Sequence, residues 1–233
     1  MFSKTDLGYE FENKFVMGLF GHRQLDQAGL GKLGFDSLRI KQVHGDQVFE
    51  WDKKSTNQQA ERTTDPTTVS VGSGNLDFQL PVADAHFSKI KNKALLINTA
   101  DCLPIMIFDE TSMTVAAIHA GWRGVENQIT KKSLQKIKPA NAIVWIGPHI
   151  MQNSFQVDLD VAKKLDPTGK FSVKKGEKFY VNLQEIVIGQ IIDCGIQRSQ
   201  ILTLDIDTFT DKDFHSHRRQ PTGLRNLNWI MLK

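Results

Sequence analysis

A chain of 233 residues is long enough to bury the core of one ordinary domain, and with 40% hydrophobic residues, 24% charged, 17 Gly and 7 Pro it falls outside the disordered, collagen-like and disulfide-scaffold classes. Its 29 basic against 26 acidic side chains leave a net charge of +3, too small for the field that nucleic-acid binders normally carry, so no nucleic-acid partner is expected. Apolar stretches such as Ala94–Ile97 are four residues and the longest, Ala142–Ile146, is five, against the roughly 20 of a bilayer span, and Met1-Phe2-Ser3-Lys4-Thr5-Asp6 opens no apolar signal block. The expectation is therefore no membrane partner, a cytoplasmic address, and free thiols at Cys102 and Cys194.

The first predicted elements are strands at Leu38–Val43 and Gln47–Trp51, joined through His44-Gly45-Asp46 as a hairpin with His44 at its tip. From Lys53 to Asn75, Ser, Thr, Asn, Gln and Gly dominate and large apolar residues almost vanish. This stretch reads as a polar surface excursion of a single domain spanning 1–233. Buried strands follow at Ala94–Thr99 and Leu103–Phe108, with Asp101-Cys102 at their junction and Pro104 marking an edge or a strand start. Another runs from Thr114 to His119 and stops at Gly121-Trp122-Arg123-Gly124. The spacing of Val125, Ile129, Leu134 and Ile137 predicts one amphipathic helix over 125–137. Ala142–Ile146 reads as a strand ended by Gly147-Pro148, Leu183–Ile192 as a helix ended near Gly195, and Asn228–Leu232 as the last strand. Strands outnumber helices and at least one strand–helix–strand unit is present, so the fold class is a mixed α/β (α+β) sandwich rather than a simple doubly wound sheet.

Three donors sit where strands give way to turns: His44, Cys102 and His119. Strand ends can converge at one rim of a sheet. Two imidazoles and a thiolate suit zinc, and three protein ligands leave a fourth position for water or substrate, as in a catalytic site whose bound water is acidified toward neutrality. The same residues equally allow Cys102 as a nucleophile with His119 as its base, or a buried apolar cysteine beside solvated histidines. Their wide spacing does not separate metal from thiolate. Gly121-Trp122-Arg123-Gly124 offers free backbone N–H groups to an anion, or else a strand-to-helix turn with Trp122 packed and Arg123 solvated. In His215-Ser216-His217-Arg218-Arg219 two guanidinium forks suit phosphate, a solvated basic loop being the default. His149 reads as a polar loop residue.

Gln42-Val43-His44-Gly45-Asp46, Ala83-Asp84-Ala85, Thr99-Ala100-Asp101-Cys102-Leu103-Pro104 and His119-Ala120-Gly121-Trp122-Arg123-Gly124 occur in that order. Together they resemble the YfiH/laccase-domain family, also called polyphenol oxidase or purine nucleoside phosphorylase-like proteins, from about Phe20 to the end. The resemblance implies a YfiH-like four-layer sandwich of mixed β-sheets flanked by helices, with zinc on residues matching His44, Cys102 and His119. It implies small-molecule partners, a purine nucleoside and phosphate: phosphorolysis of adenosine, inosine, guanosine or methylthioadenosine, with adenosine deamination at the same site. Copper-dependent oxidation of phenols is also attributed to the family. On this reading Cys102, His119 and Asp101 are catalytic, Asp101 as an orienter or proton carrier beside Cys102. Arg23, Arg123, Arg218 and Arg219 would bind substrate or phosphate. The alternatives are a cysteine hydrolase using Cys102 and His119, a copper-dependent polyphenol oxidase, and a metal-binding or interaction module without turnover.

The chain departs from the family pattern in places. Met151-Gln152-Asn153-Ser154 and the region of Asp207-Thr208-Phe209 lack cysteines that relatives carry there, which removes candidate ligands for several coppers. The stretch from Lys53 to Asn75 is longer than usual, and the His-x-Glu and Pro-Cys-x-x-Cys signature of nucleobase deaminases is absent.

Overall fold

The computed structural model describes residues 1–23, 25, 35–56 and 80–233. Two six-stranded sheets and one three-stranded sheet carry the architecture. In spatial order the first sheet is β1 (Phe2–Thr5), β2 (Gly8–Glu12), β3 (Val16–Gly21), β15 (Asn226–Leu232), β7 (Lys93–Thr99) and β4 (Asp36–Arg39). The second is β14 (Ile201–Thr203), β10 (Ala142–Ile146), β8 (Leu103–Asp109), β9 (Thr114–Ala120), β6 (Ala85–Ser88) and β5 (Val48–Trp51). The small sheet is β11 (Gln156–Val157), β13 (Lys178–Val181) and β12 (Ser172–Lys175). Both large sheets are mixed, because β4 runs parallel to β7, β5 to β6 and β10 to β14 while the other neighbours are antiparallel.

Strands β8 and β9 are buried along their whole length, which their unbroken apolar runs require of strands covered on both faces. On one face Phe11, Phe20, Leu95, Met106, Trp145 and Ile230 fill the space between the two large sheets. On the other, Ile105, Ile107, Ile118 and Val144 pack under four helices: α1 (Trp122–Glu126), α2 (Ile129–Ile137), α3 (Leu159–Leu165) and α4 (Leu183–Ile192). The far face of the first sheet carries a further apolar cluster of Leu19, Leu96, Trp229 and Met231, to which Leu25 contributes. The expected mixed α/β sandwich therefore forms. No helix among the described residues is long and apolar enough to cross a membrane.

Several local expectations are corrected. Leu38–Val43 and Gln47–Trp51 do not form a hairpin: β4 joins the first sheet and β5 the second, so the intervening segment crosses between sheets and His44 lies on that crossover. The helix over 125–137 is two helices, broken where Gln128 takes a left-handed φ of 59°. Pro104 is the second residue of a central strand, so it marks a start and not an edge. His149 is buried, its Nδ1 2.8 Å from the Gly147 carbonyl oxygen and its backbone bridged to Asp207. Of the polar stretch 53–75, residues 53–56 form a helical turn and 57–75 lie outside the described residues.

One buried carboxylate gives the fold a measurable acid response. Asp109, at the end of β8, accepts hydrogen bonds from the N–H groups of Ala140 (2.9 Å), Asn141 (2.7 Å) and Ser112 (2.8 Å). Burial alone would raise its pKa, but the Ser112 hydroxyl together with these backbone bonds outweighs burial and holds it below the ordinary carboxylate value. A depressed folded-state pKa stabilises above the unfolded value of about 3.9, and that stabilisation is lost as pH falls through the folded value. Asp109→Ala should cost about 2–3 kcal/mol in urea unfolding at pH 7. The gap from the parent protein should narrow below about pH 4; a gap independent of pH would contradict this account.

Candidate metal centre and pocket

The crossover from β4 to β5 is held at its middle by one side chain. Asp84, immediately before β6 and with no exposed surface, accepts from the backbone N–H groups of Val43 (3.2 Å), His44 (2.9 Å) and Gly45 (2.7 Å). These bonds fix His44 at a φ of 60°, a conformation uncommon outside glycine. The same carboxylate lies 2.8 Å from Nδ1 of His119 on β9, and the His119 N–H donates to the Asp84 carbonyl at 2.8 Å. With Nδ1–H donating to the carboxylate, Nε2 keeps its lone pair for a ligand. One aspartate thus orients the His119 ring and holds the His44 backbone.

Cys102 completes the group at the start of β8, after Asp101 at a φ of 83°. The donor atoms of His44, Cys102 and His119 all lie within 4.8 Å of one another, and among the described residues this is the one such group of three or more metal-binding side chains. The imidazole rings of His44 and His119 stand at 86° with centroids 4.8 Å apart. Burial would push the Cys102 thiol up, but the charge on His119 and hydrogen bonds from His119 and His44 outweigh it and bring the pKa down to about 6. The thiolate in turn holds His119, with Asp84, at about 9 against its own burial.

The space between these donors fits a metal ion. Tetrahedral zinc with Zn–N near 2.0 Å and Zn–S near 2.3 Å spaces its donors roughly 3.3–3.6 Å apart, so small side-chain rotations suffice. Gly121 leaves that space open. A Cβ there would lie 3.2 Å from Cys102 Sγ, 3.5 Å from His44 Cδ2 and 3.9 Å from His119 Cε1. Its φ of −70° and ψ of 165° suit any residue, so the glycine is required by room and not by backbone conformation. Gly121→Ala should weaken metal affinity about 10-fold or more, as disturbed ligand positioning does, and leave the thermal midpoint nearly unchanged. Competition with a chelator measures the first and calorimetry the second; unaltered affinity would show that the donors do not converge there.

The three donors line a cavity of about 610 Å³. Ile40, Ile150, Phe155 and Leu183 give it an apolar part, and Arg123, His217, Arg218 and Arg225 a basic one. The Arg123 guanidinium lies over the Trp122 ring, 4.4 Å from its centroid. Gln42 also lines the cavity, its side-chain amide donating to the Asn98 carbonyl at 2.9 Å and accepting from the Asn98 N–H at 2.8 Å.

The family profile of the multi-copper polyphenol oxidoreductase laccases matches residues 22–233. The chain belongs to this family. A purine nucleoside phosphorylase of Haemophilus influenzae is 34% identical over 161 residues, 64% of this chain and 65% of that protein. The purine nucleoside phosphorylase YfiH of Escherichia coli is 29% identical over 157 residues, 64% of each. The chain thus spans just under two thirds of the length of these curated relatives. The crystal structure of a hypothetical protein YfiH from Bacillus licheniformis shares the fold, with a TM-score of 0.78 at 21% identity over 94% of this chain and 93% of that one.

Not every residue singled out in this laccase-family sequence reaches the cavity. Arg123 and Arg218 do; Arg23 lines a separate cavity with Lys4, Asp6, His22 and Asp213. The Arg219 guanidinium donates to the backbone carbonyls of Thr208 (2.7 Å), Phe209 (2.8 Å), Asp211 (3.1 Å) and Phe214, which ties a loop together. Asp101 lines the cavity, but its carboxylate accepts from Thr208 Oγ1 (2.8 Å) and from the Arg218 N–H (2.7 Å). It thereby anchors the C-terminal loop to the Cys102 turn. Sequence reasoning missed the roles of Asp84, Gly121 and Arg225. For Asp84 the available signal was an acid between two alanines at the head of a buried strand.

Proposed function

We propose that this chain is a zinc-dependent purine nucleoside phosphorylase, acting on adenosine, inosine, guanosine or methylthioadenosine, that also deaminates adenosine in the same cavity. The observation that carries the proposal is the convergence of His44, Cys102 and His119 on a cavity that also holds Arg123, Arg218 and Arg225. The names of the curated relatives support it. Bound zinc would supply Lewis-acid charge and an acidified water.

The chain's own residues do the rest. Guanidinium forks of Arg123 and Arg218 recognise phosphate oxygens and set that anion against the anomeric carbon. The rings of Trp122 and Phe155 offer faces to the purine, and Ile150 and Leu183 exclude water around it. Asp84 holds His119 and the His44 backbone so that the donor geometry is set before substrate arrives. A volume of about 610 Å³ suits a nucleoside with phosphate. The same reading makes the chain one catalytic domain of the cytoplasm, with neither nucleic acid nor membrane as partner.

Asp84, His119 and Cys102 also form the acid–imidazole–thiolate series of a cysteine hydrolase, and the depressed Cys102 pKa favours that as the second reading. One experiment separates the two. Purified protein is assayed for metal content and incubated with adenosine and phosphate, and ribose 1-phosphate, adenine and inosine are followed by chromatography. The zinc reading expects about one zinc per chain, loss of all products on chelation and their return with zinc; full turnover without metal overturns it. Copper reloading with a phenol as substrate tests the oxidase alternative in the same preparation.

A further inference from the structure

We infer that His217 is the catalytic acid that protonates the departing purine, an assignment that rests on the phosphorylase reading. Breaking the glycosidic bond sends its electron pair to N9 of the base, and a proton delivered to N7 neutralises the purine as it leaves; a positioned acid of this kind contributes about 10²–10⁴-fold. The cavity restricts which side chain can serve. His44, Cys102 and His119 are the metal donors. Both carboxylate oxygens of Asp101 are occupied by Thr208 and the Arg218 N–H. The amide of Gln42 is occupied by the Asn98 backbone, and the arginines hold their protons too tightly to transfer them. Among the described residues lining the cavity, His217 remains: an exposed imidazole with no hydrogen bond or ion pair, of the side-chain type suited to proton transfer near neutral pH.

Its backbone is held firmly. The next residue donates its N–H to Asp101 at 2.7 Å, the Arg219 N–H reaches Ser216 Oγ at 3.1 Å, and the Gln220 N–H reaches the Ser216 carbonyl at 2.9 Å. The Arg219 guanidinium closes the other side of the loop on Thr208 and Phe209. An unengaged ring on a pinned backbone, facing the same cavity as the donor cluster, is the arrangement that proton delivery needs. In the step itself, a phosphate oxygen bonds to C1′ as the C1′–N9 bond breaks, the electron pair passes into the purine, and the His217 proton goes to N7. The proton lost from the phosphate monoester product then restores the imidazolium, so acid and charge balance over a turnover.

The test compares inosine with 7-methylguanosine, whose base already carries a positive charge and leaves without a proton. His217→Gln keeps a polar side chain of similar reach at an exposed position, and metal content and thermal midpoint verify that the site is intact. The variant should lose about 100-fold or more in kcat on inosine and change less than about threefold on 7-methylguanosine. Equal losses on both substrates would reduce His217 to a shaping residue, and unchanged turnover of inosine would remove it from the reaction; either overturns the assignment. A parent protein that phosphorolyses neither nucleoside overturns the phosphorylase reading itself, and is told apart because it needs no variant.

Discussion

Replacing His119 by alanine should leave the chain folded, strip it of bound metal and lower turnover of nucleoside by at least about 10³-fold. The expectation exceeds the roughly 10–100-fold cost of disturbing a residue behind a metal ligand, because on the proposed reading His119 would itself be one of three donors and the two that remain would not hold the ion in the same place. The fold should survive because β9 keeps its ladder to β8 and β6 through backbone bonds, while Asp84 keeps the N–H groups of Val43, His44 and Gly45. Metal analysis, circular dichroism and the phosphorolysis assay on one preparation read the three outcomes. A variant that keeps both zinc and turnover would remove His119 from the donor set. One that keeps zinc and loses turnover would make His119 a group that acts on the substrate and not a ligand of the ion.

The parts of the fold legible in the sequence were those whose burial is two-sided. Ala94–Thr99, Leu103–Phe108 and Thr114–His119 announce themselves as largely apolar runs because β7, β8 and β9 are interior strands of their sheets with few exposed positions. The crossover at His44 was not legible. Two alternating segments around a glycine look locally like a hairpin, and only their partners, β7 for one and β6 for the other, show that they belong to different sheets. Nor did the apolar spacing over 125–137 reveal the break at Gln128, since the periodicity continues through a residue whose left-handed backbone no glycine marks.

The site divides in the same way. His44, Cys102 and His119 could be picked out because their residue types carry the chemistry, although only Cys102 and His119 lie at strand ends and His44 lies on the crossover between sheets. Arg219 was a candidate for phosphate because a guanidinium fork fits phosphate oxygens, but it fits peptide carbonyls as well, and the loop after β14 supplies them. Asp101 stands next to the thiol in sequence, which suggests that it acts on it. Its backbone at a φ of 83° instead sends the carboxylate toward Thr208 and Arg218. The residue that does orient an imidazole is Asp84, whose contacts to His44 and His119 join positions 40 and 35 residues away, a relation no local pattern contains.

Asp84 should therefore be the most sensitive position that is not itself a donor. In Asp84→Ala the N–H groups of Val43, His44 and Gly45 lose their acceptor together, and the His119 Nδ1–H loses its own. At roughly 1 kcal/mol for each of these four bonds, about 4 kcal/mol of stability should disappear, with His44 freed from its left-handed conformation. Asp84→Asn separates stability from metal chemistry. Oδ1 serves the His44 N–H and the His119 Nδ1–H and Oδ2 the N–H groups of Val43 and Gly45, so the single amide oxygen can serve one pair and the amide nitrogen meets the other as donor against donor. If Val43 and Gly45 keep the oxygen, the His44 N–H loses its acceptor and the His119 imidazole turns or changes tautomer, and zinc affinity should fall about 10–100-fold with part of the stability retained. Urea unfolding of the metal-free variants and chelator competition on the loaded ones distinguish these effects. Parent-like zinc affinity in Asp84→Asn would mean that His119 finds its orientation without the carboxylate, and the pre-set geometry would have to come from the strands alone.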